Sequence, residues 1–312
     1  MIILLSWLLL ILGIATAIVT LVFAVEVASA ALLPIRKSFY PAHAAVRHPV
    51  AILVPAHNES AGIRPTLNDI VAQMQGNDRL LVVADNCNDD TAEVAAAAGA
   101  EVAIRHDLEK IGKGYALDFG LRHLGETGSE VIIVIDADCR LEPDAIDRLA
   151  SSCTLTGRPA QALYNMSAPG GLAVSQRVAE FAWCVKNSLR PRGLAALGLP
   201  CQLMGTGMAF PRDLLRSANL ATGHLAEDLH LGLQLASLGR PPIFCPTAVV
   251  RSEFPTSAEG TAAQRQRWEQ GHLHVLFTEA VPCIWTALRT PDWRLLRLAS
   301  TPPSHPLPFW AC

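Results

Sequence analysis

A continuous run of β-favouring apolar residues, Val131–Ile135, leads directly into Asp136-Ala137-Asp138. An uninterrupted apolar run of this length is typical of a strand that is buried on both faces, as the strands of a parallel sheet are. Because side chains alternate along a strand, Asp136 and Asp138 are expected to project to the same side where the strand ends. This feature predicts an α/β fold whose ligands bind at the carboxyl ends of the strands.

The spacing of these two aspartates predicts a site for a divalent cation. Carboxylate oxygens are hard ligands of the kind that Mg²⁺ and Mn²⁺ prefer, and such an ion would in turn bind a diphosphate. The alternative is a strand-to-helix turn in which Asp138 only caps the helix that follows Pro143. An isolated Asp-x-Asp does not separate the two interpretations, so the other motifs must decide.

The N-terminal segment, residues 1–33, is predicted to be a membrane anchor, and residues 34–48 a linker. Residues 2–25 are almost wholly apolar, and a helix of roughly 24 residues is about 36 Å long, enough to cross a bilayer. Arg36 and Lys37 follow this segment, and no charged side chain precedes it. The positive-inside rule therefore predicts a single span in the cell (inner) membrane, with the rest of the chain in the cytoplasm.

Three further features bear on the compartment and on partners. A cleavable signal peptide ending near Ala28-Ser29-Ala30 is an alternative to the anchor, but the apolar segment is long and no basic residue begins it. The eight cysteines include no Cys-x-x-Cys pair, so no zinc or redox motif is predicted. The net charge of −3 predicts no nucleic-acid partner.

Glu26, near the end of the apolar segment, is expected to be a solvated residue flanking the membrane span.

Strand-like runs alternate with helical patterns up to about residue 150, which predicts a mostly parallel, doubly wound sheet with helices on both faces. The predicted strands are Val50–Pro55, Leu80–Ala84, Val102–Ile104 and Val131–Ile135, and the predicted helices are 63–75, 91–98 and 113–124. Beyond Ala150 the pattern is weaker, with helices near 172–189 and 226–238 and a strand near 203–210. We therefore expect a nucleotide-binding half at 49–150, a half that receives another ligand at 151–275, and an interfacial segment with an irregular tail at 276–312.

Two common nucleotide-binding motifs are missing from the positions where they would be expected. The first predicted strand is followed by His57-Asn58-Glu59 and not by Gly-x-Gly-x-x-Gly, which argues against a nicotinamide dinucleotide. Gly112-Lys113-Gly114 lacks the upstream glycine and the following Ser or Thr of a phosphate-binding loop of the Walker type.

Five motifs stand in order, each after an apolar run or on a predicted helix: Pro55–Glu59, Val83–Thr91, Asp136–Asp138, Glu227-Asp228, and a Gln-x-x-Arg-Trp sequence at 264–268. As an ordered set they resemble the family 2 inverting glycosyltransferases of the GT-A fold. They are most similar to the membrane-attached branch that includes cellulose, hyaluronan and poly-N-acetylglucosamine synthases. The resemblance covers residues 49–275, and the ordered set is far more specific than any single motif.

The resemblance implies a nucleotide-sugar donor, expected to be UDP-linked, and names residues that would bind it. Asp85 would accept a hydrogen bond from the imide N–H of uracil, and His57, Asn58 and Glu59 would line the same pocket. The alternative for Asp85 is a turn-forming residue ahead of Thr91.

Three charged residues are expected at the donor diphosphate. Lys113, between two glycines at a predicted helix start, would contact the diphosphate, although a solvated first-turn lysine is the alternative. Asp136 and Asp138 would hold Mg²⁺ or Mn²⁺, with Asp138 as the direct ligand. The cation would neutralise charge that develops on the departing nucleoside diphosphate.

The acceptor, a saccharide or a lipid-linked molecule, is expected to be bound by the second half of the chain. Gly205, Thr206 and Gly207 interrupt an apolar stretch, which would let a sugar approach the backbone, although a plain loop or bulge is the alternative. By the resemblance, Asp228 would act as the general base that removes the proton from the acceptor hydroxyl. Glu227 is expected to give local support.

The Gln-x-x-Arg-Trp motif is expected to lie on one face of a helix, because positions i, i+3 and i+4 are neighbours there. Gln264 and Arg267 would bind the nucleotide sugar, with Arg267 on the diphosphate oxygens, and Trp268 would offer a flat apolar surface to a sugar ring. An amphipathic helix with Trp268 in the core is the alternative.

The chain departs from the processive synthases in having one convincing span, where the synthases have several spans after this motif. The proline-rich residues 299–312 lead us to expect a truncated or out-of-frame C-terminus. Two rival functions stay open: a sugar-1-phosphate nucleotidyltransferase, and a catalytically inactive membrane subunit that binds nucleotide. Other subunits of a polysaccharide-synthesis complex are expected as partners.

Overall fold

The computed structural model describes residues 2–35, 47–125, 128–168 and 174–255, and then residues 264, 266, 270–271, 274–275, 278–279, 281–290 and 293–299. The strands are β1 (Val50–Ala56), β2 (Arg79–Asp85), β3 (Glu101–Arg105), β4 (Val131–Val134), β5 (Arg140–Leu141), β6 (Ala160–Ser167), β7 (Met208–Pro211) and β8 (Ile243–Glu253). The helices are α1 (Ile2–Leu32), α2 (Ile63–Val71), α3 (Thr91–Ala97), α4 (Lys113–His123), α5 (Ala145–Thr156), α6 (Val174–Cys184), α7 (Arg190–Ala196), α8 (Arg212–Ser217), α9 (Glu227–Ser237), α10 (Val281–Arg289) and α11 (Trp293–Ala299), and a π-helical turn at Val185–Leu189 joins α6 to α7.

The first four strands form the parallel part of the sheet, with β1 between β2 and β4 and with β3 at the edge. Alternate residues of β1 enter two different apolar layers. Ile52 and Val54 pack with α2 on one face, whereas Ala51 and Leu53 pack with α4 on the other. Burial on both faces is the physical reason why these strands consist of nearly continuous apolar runs.

The sheet becomes mixed beyond β4. Strand β7 runs antiparallel to β4, β6 runs antiparallel to β7 and parallel to β8, and β5 closes the edge antiparallel to β8. One continuous sheet of eight strands therefore crosses both predicted halves, in the order β3-β2-β1-β4-β7-β6-β8-β5. The predicted α/β fold is confirmed, and the predicted parallel arrangement holds for β1 to β4.

Two long strands of the second part, β6 and β8, were not predicted from the sequence. In β8, Pro246 interrupts the run, and a register shift between Ala162 and Leu163 accompanies it where β8 pairs with β6. Residues of β6 alternate irregularly between buried and partly exposed positions. Neither strand therefore has the uniform pattern from which a strand can be predicted.

Helix α1 has the length and composition of a candidate membrane span, since Leu5–Leu32 has a mean hydropathy of 2.9 and its apolar window contains no buried residue. Its C-terminal end differs from the rest because it packs against α7. Gly193 of α7 allows this close approach, since a Cβ atom there would lie 1.8 Å from the Glu26 carbonyl oxygen. The candidate span thus ends in contact with the folded domain.

Candidate active site

A cavity of about 630 Å³ opens where β1, β2 and β4 end, and the second part of the chain supplies its opposite wall. Its lining combines residues that are distant in the sequence. Nine of the residues predicted from the sequence line it: His57, Glu59, Asp85, Lys113, Asp136, Asp138, Gly205, Asp228 and Gln264. The fold thus places the predicted donor, metal and base residues around one cavity.

Three other predicted residues, Asn58, Thr206 and Gly207, are not among those that line the cavity. Asn58 has a left-handed backbone (φ 56°), and its side-chain oxygen accepts a hydrogen bond from the Asn88 amide at 2.9 Å. Thr206 is fully buried, and its hydroxyl oxygen accepts a hydrogen bond from the Asp136 amide at 2.9 Å. Gly207 packs against β6 and β8. In this geometry the three residues position their neighbours.

The predicted Gln-x-x-Arg-Trp face is described only in part. Gln264 lines the cavity, whereas Arg267 and Trp268 lie outside the described residues. The contacts expected for those two residues therefore stay predictions.

Asp136, Asp138 and Glu59 form an acidic group at the ends of β1 and β4. The pKa of Asp138 is raised by burial and by the charge of Asp136. The pKa of Glu59 is likewise raised by burial and then by Asp138 and Asp136. Burial and nearby like charge both disfavour the charged form of a carboxylate. Hard oxygen donors fit a divalent cation such as Mg²⁺ or Mn²⁺.

Within this group Asp138 is the carboxylate more available to a metal. Lys113 forms an ion pair with Asp136. Asp138 accepts a hydrogen bond from the Cys139 thiol at 3.6 Å, and it has no ion pair within the described part of the chain. The geometry is consistent with the prediction that Asp138 is the direct ligand.

Lys113 links the two acidic sides of the cavity. Its ammonium group donates a hydrogen bond to the Gly205 carbonyl oxygen at 2.8 Å and lies 3.6 Å from a Glu227 carboxylate oxygen. Burial lowers the pKa of Lys113, but the charges of Asp136 and Glu227 raise it by more, so the net pKa is above its ordinary value. The adjacent Gly114 is required by packing, because a Cβ atom there would lie 2.5 Å from the Leu220 carbonyl oxygen.

Asp85, at the end of β2, is held by an arginine that was not predicted from the sequence. Arg105 ends β3 and is the register partner of Asp85. Its guanidinium donates a hydrogen bond to the Asp85 carboxylate at 2.6 Å, and both side chains are nearly buried. The ion pair fixes the direction of the carboxylate at the cavity wall. The sequence gives only a weak signal for this ion pair, because recognising it requires the register of two parallel strands.

The base side of the cavity is formed by the first turn of α9. Burial raises the pKa of Glu227 to about 7, with Lys113 opposing and Asp228 reinforcing the change. Burial also raises the pKa of Asp228, although the backbone amide of Leu229, which donates to its carboxylate at 2.8 Å, opposes this effect. A carboxylate whose pKa is raised accepts a proton more readily than an ordinary carboxylate does.

The π-helical turn before α7 brings Lys186 to the cavity, another residue that was not predicted. Burial lowers the pKa of Lys186 to about 8, against the opposing charge of Asp228. Local π-helical turns often occur at functional sites. The extra residue of a π-helical turn also changes which side chains share a helix face. The helical periodicity of the sequence therefore did not predict that Lys186 lines the cavity.

Arg190, four residues further on, connects the cavity to α1. It lines the cavity, and its guanidinium donates a hydrogen bond to the Glu26 carboxylate at 2.5 Å. The Glu26 side chain is only 2 % exposed. The expectation that Glu26 is a solvated flank is therefore wrong, because the close contact between α1 and α7 removes it from solvent.

The fold is similar to that of solved glycosyltransferases. A mannosyltransferase from Pyrobaculum calidifontis, solved in complex with GDP-Man and Mn²⁺, superposes with a TM-score of 0.62 at 19% sequence identity, covering 92% of this chain and 84% of that one. The fold is thus of the GT-A type, an α/β fold with its site at the strand ends.

A sequence profile for glycosyltransferase like family 2 matches residues 48–271. The chain belongs to this family, and the family prediction is confirmed. A probable glycosyltransferase of Bacillus subtilis, YdaM, is 27% identical over 73% of this chain and 56% of its own length. A poly-beta-1,6-N-acetyl-D-glucosamine synthase of Staphylococcus epidermidis is 24% identical over 76% of this chain and 58% of its own length. The chain therefore spans a little over half the length of the curated relatives it matches.

Proposed function

We propose that this protein is a membrane-anchored inverting glycosyltransferase. It transfers a sugar from a nucleotide sugar, expected to be UDP-linked, to a saccharide or lipid-linked acceptor in polysaccharide or glycolipid synthesis. The observation that carries the proposal is the shared cavity, which Asp138, Lys113 and Asp228 all line. Within it Lys113 pairs with Asp136 and lies 3.6 Å from Glu227, the neighbour of Asp228.

The donor side holds the nucleotide and the leaving group. Asp85, fixed by Arg105, accepts the imide N–H of the base, and Lys113 contributes positive charge beside the diphosphate. Asp138, with Asp136, would hold the divalent cation. When bound, the cation supplies charge neutralisation for the departing nucleoside diphosphate.

The acceptor side starts the transfer. Asp228 takes the proton of the acceptor hydroxyl, and the hydroxyl oxygen forms a bond to the anomeric carbon while the bond to the diphosphate breaks. A single displacement from the face opposite the leaving group inverts the configuration, so an α-linked donor yields a β-linked product. Glu227 keeps Lys113 charged and close to the reaction.

The decisive experiment uses the full chain purified in detergent with Mn²⁺ or Mg²⁺. Each member of a panel of UDP-sugars, and GDP-mannose, is tested for release of nucleoside diphosphate. We expect release with at least one donor, its loss on chelation with EDTA, and a decrease of about 100-fold or more in Asp138→Ala, because even outer-shell changes cost 10–100-fold at metal sites.

Asp118→Ala is the matched control, because Asp118 lies in an exposed helical pair with Arg122. Full turnover by Asp138→Ala would refute the metal assignment. Pyrophosphate release from a nucleoside triphosphate would instead identify a nucleotidyltransferase. Calorimetric binding of UDP and metal without turnover would identify an inactive subunit.

A further inference from the structure

A cluster of histidines lies around the start of α9, and one of its members, His224, lines the cavity. His224 precedes α9, His230 lies on α9, and Glu279 lies in the segment before α10. One ligand atom from each of these three residues lies within 4.8 Å of the other two. His274 is a fourth member, with its ring centroid 5.2 Å from that of His224.

The contacts inside this cluster leave one polar atom without the partner it needs. The Nδ1 atom of His230 is buried and makes no hydrogen bond among the described residues, which is unfavourable when nothing compensates it. Its neighbours are the Glu279 carboxylate at 3.5 Å and the His224 ring, whose centroid is 4.6 Å away. Three adjacent imidazoles would repel one another if they were protonated.

The donor set of the cluster suits a metal ion. Histidine nitrogen is the commonest metal ligand in proteins. The cluster combines imidazole nitrogens with one carboxylate, and a carboxylate is a common companion of histidine at zinc sites.

We propose that His224, His230 and Glu279 bind a divalent transition-metal cation of the zinc type, at a site distinct from the donor-side cation. With metal–ligand bonds of about 2.0–2.1 Å, two ligands of a tetrahedral site are roughly 3.4 Å apart. The separation of 3.5 Å between His230 Nδ1 and the Glu279 oxygen matches that spacing. Mg²⁺ would prefer an all-oxygen site, so the nitrogen donors favour zinc.

The position of the cluster gives the cation a structural role at the cavity. His224 and Ala226 line the cavity immediately before Asp228. The segment that carries Glu279 packs on this loop, since a Cβ atom at Gly271 would lie 2.9 Å from the Ala226 amide, and Val275 shares an apolar cluster with Ala226. A cation bound by His224, His230 and Glu279 therefore joins this C-terminal segment to the start of α9.

The test measures metal binding by the full chain in detergent, independently of sugar transfer. Protein stripped with EDTA is titrated calorimetrically with ZnCl₂ in the presence of excess Mg²⁺, which occupies the aspartate site, and retained zinc is then measured by mass spectrometry. We expect one zinc per chain and a higher thermal unfolding temperature with zinc. His230→Gln and Glu279→Gln should each bind zinc about 100-fold more weakly.

Two controls separate this site from the rest of the molecule. His123→Gln changes an exposed histidine that pairs with Glu101, and it should bind zinc as the unchanged protein does. Asp138→Ala should also retain zinc, even if it loses sugar transfer. Zinc binding by His230→Gln and Glu279→Gln as tight as that of the unchanged protein would overturn the proposal, and so would loss of zinc in Asp138→Ala. Circular dichroism of each variant in EDTA checks that it is folded.

Discussion

The four strands before residue 135 and the four after it belong to one sheet, yet they form their parts of the cavity differently. In the first part, Asp85 and Asp136 lie at or just beyond the ends of parallel strands that are buried on both faces. In the second part, Lys186 and Asp228 lie on a helical turn and a helix start. Local strand geometry thus positions the first set, and long-range packing positions the second.

The two parts also differ in electrostatics. Asp136, Asp138 and Glu59 lie together, and burial, followed by the charge of the neighbouring carboxylates, raises the pKa values of Asp138 and Glu59. The carboxylates of α9 instead have Lys113 and Lys186 as neighbours. An excess of carboxylates suits a divalent cation, whereas a buried carboxylate beside lysines suits the exchange of a proton. One cavity can therefore divide leaving-group stabilisation from base catalysis.

The largest effect that separates the two parts is expected from Asp228→Asn. The amide cannot accept the acceptor's proton, so turnover should decrease by about 10²–10⁴-fold, the usual contribution of a general base. Calorimetry should find donor nucleotide and metal bound as before, because both are assigned to the first part. Weakened nucleotide binding in Asp228→Asn would contradict this division of roles.

A smaller effect, on stability, is expected from Glu26→Ala. The variant leaves the buried Arg190 guanidinium without its partner, which costs about 3–5 kcal/mol for a buried ion pair. Hydrogen exchange of the full chain in detergent should increase in 185–196 and leave β1 to β4 unchanged. Asp118→Ala, which removes an exposed i,i+4 pair, should change stability by only about 0.3–0.5 kcal/mol. If hydrogen exchange in Glu26→Ala instead increased equally in 185–196 and in β1 to β4, α1 would not stabilise α7 selectively.

The smallest effect is expected from Glu227→Gln and concerns pH dependence. Asp228 must be deprotonated to act as a base, and its pKa is raised, so turnover should be lost as pH falls through that raised pKa. Glu227, with a pKa of about 7, is a neighbouring negative charge. Removing this charge should lower the pKa of Asp228 and move the acid limb of the kcat profile to lower pH. A shift to higher pH, or none, would rule out this coupling.

The parts of the fold that were predictable are those in which a local pattern dictates the structure. The predicted bounds of β1, β2, β3 and β4 fall within one or two residues of the observed ones. The apolar runs of β1, β2 and β4 are distinct because nearly every residue there is buried. Glu227 and Asp228, which we propose for the acceptor side, were predicted from a motif and not from periodicity. Arg105 and Lys186 were missed because their relation to the cavity depends on strand register and on a π-helical turn.

The amino-acid sequence alone was sufficient to identify the apolar N-terminal segment, the α/β class, and the acidic residues at the ends of its strands. These features follow from hydrophobic periodicity and side-chain chemistry. The three-dimensional packing settled which charges meet: Lys113 with Asp136 and Glu227, Arg105 with Asp85, and Glu26 with Arg190. The physical reason is distance along the chain. Electrostatic partners up to 164 residues apart become neighbours only when strands pair and helices pack.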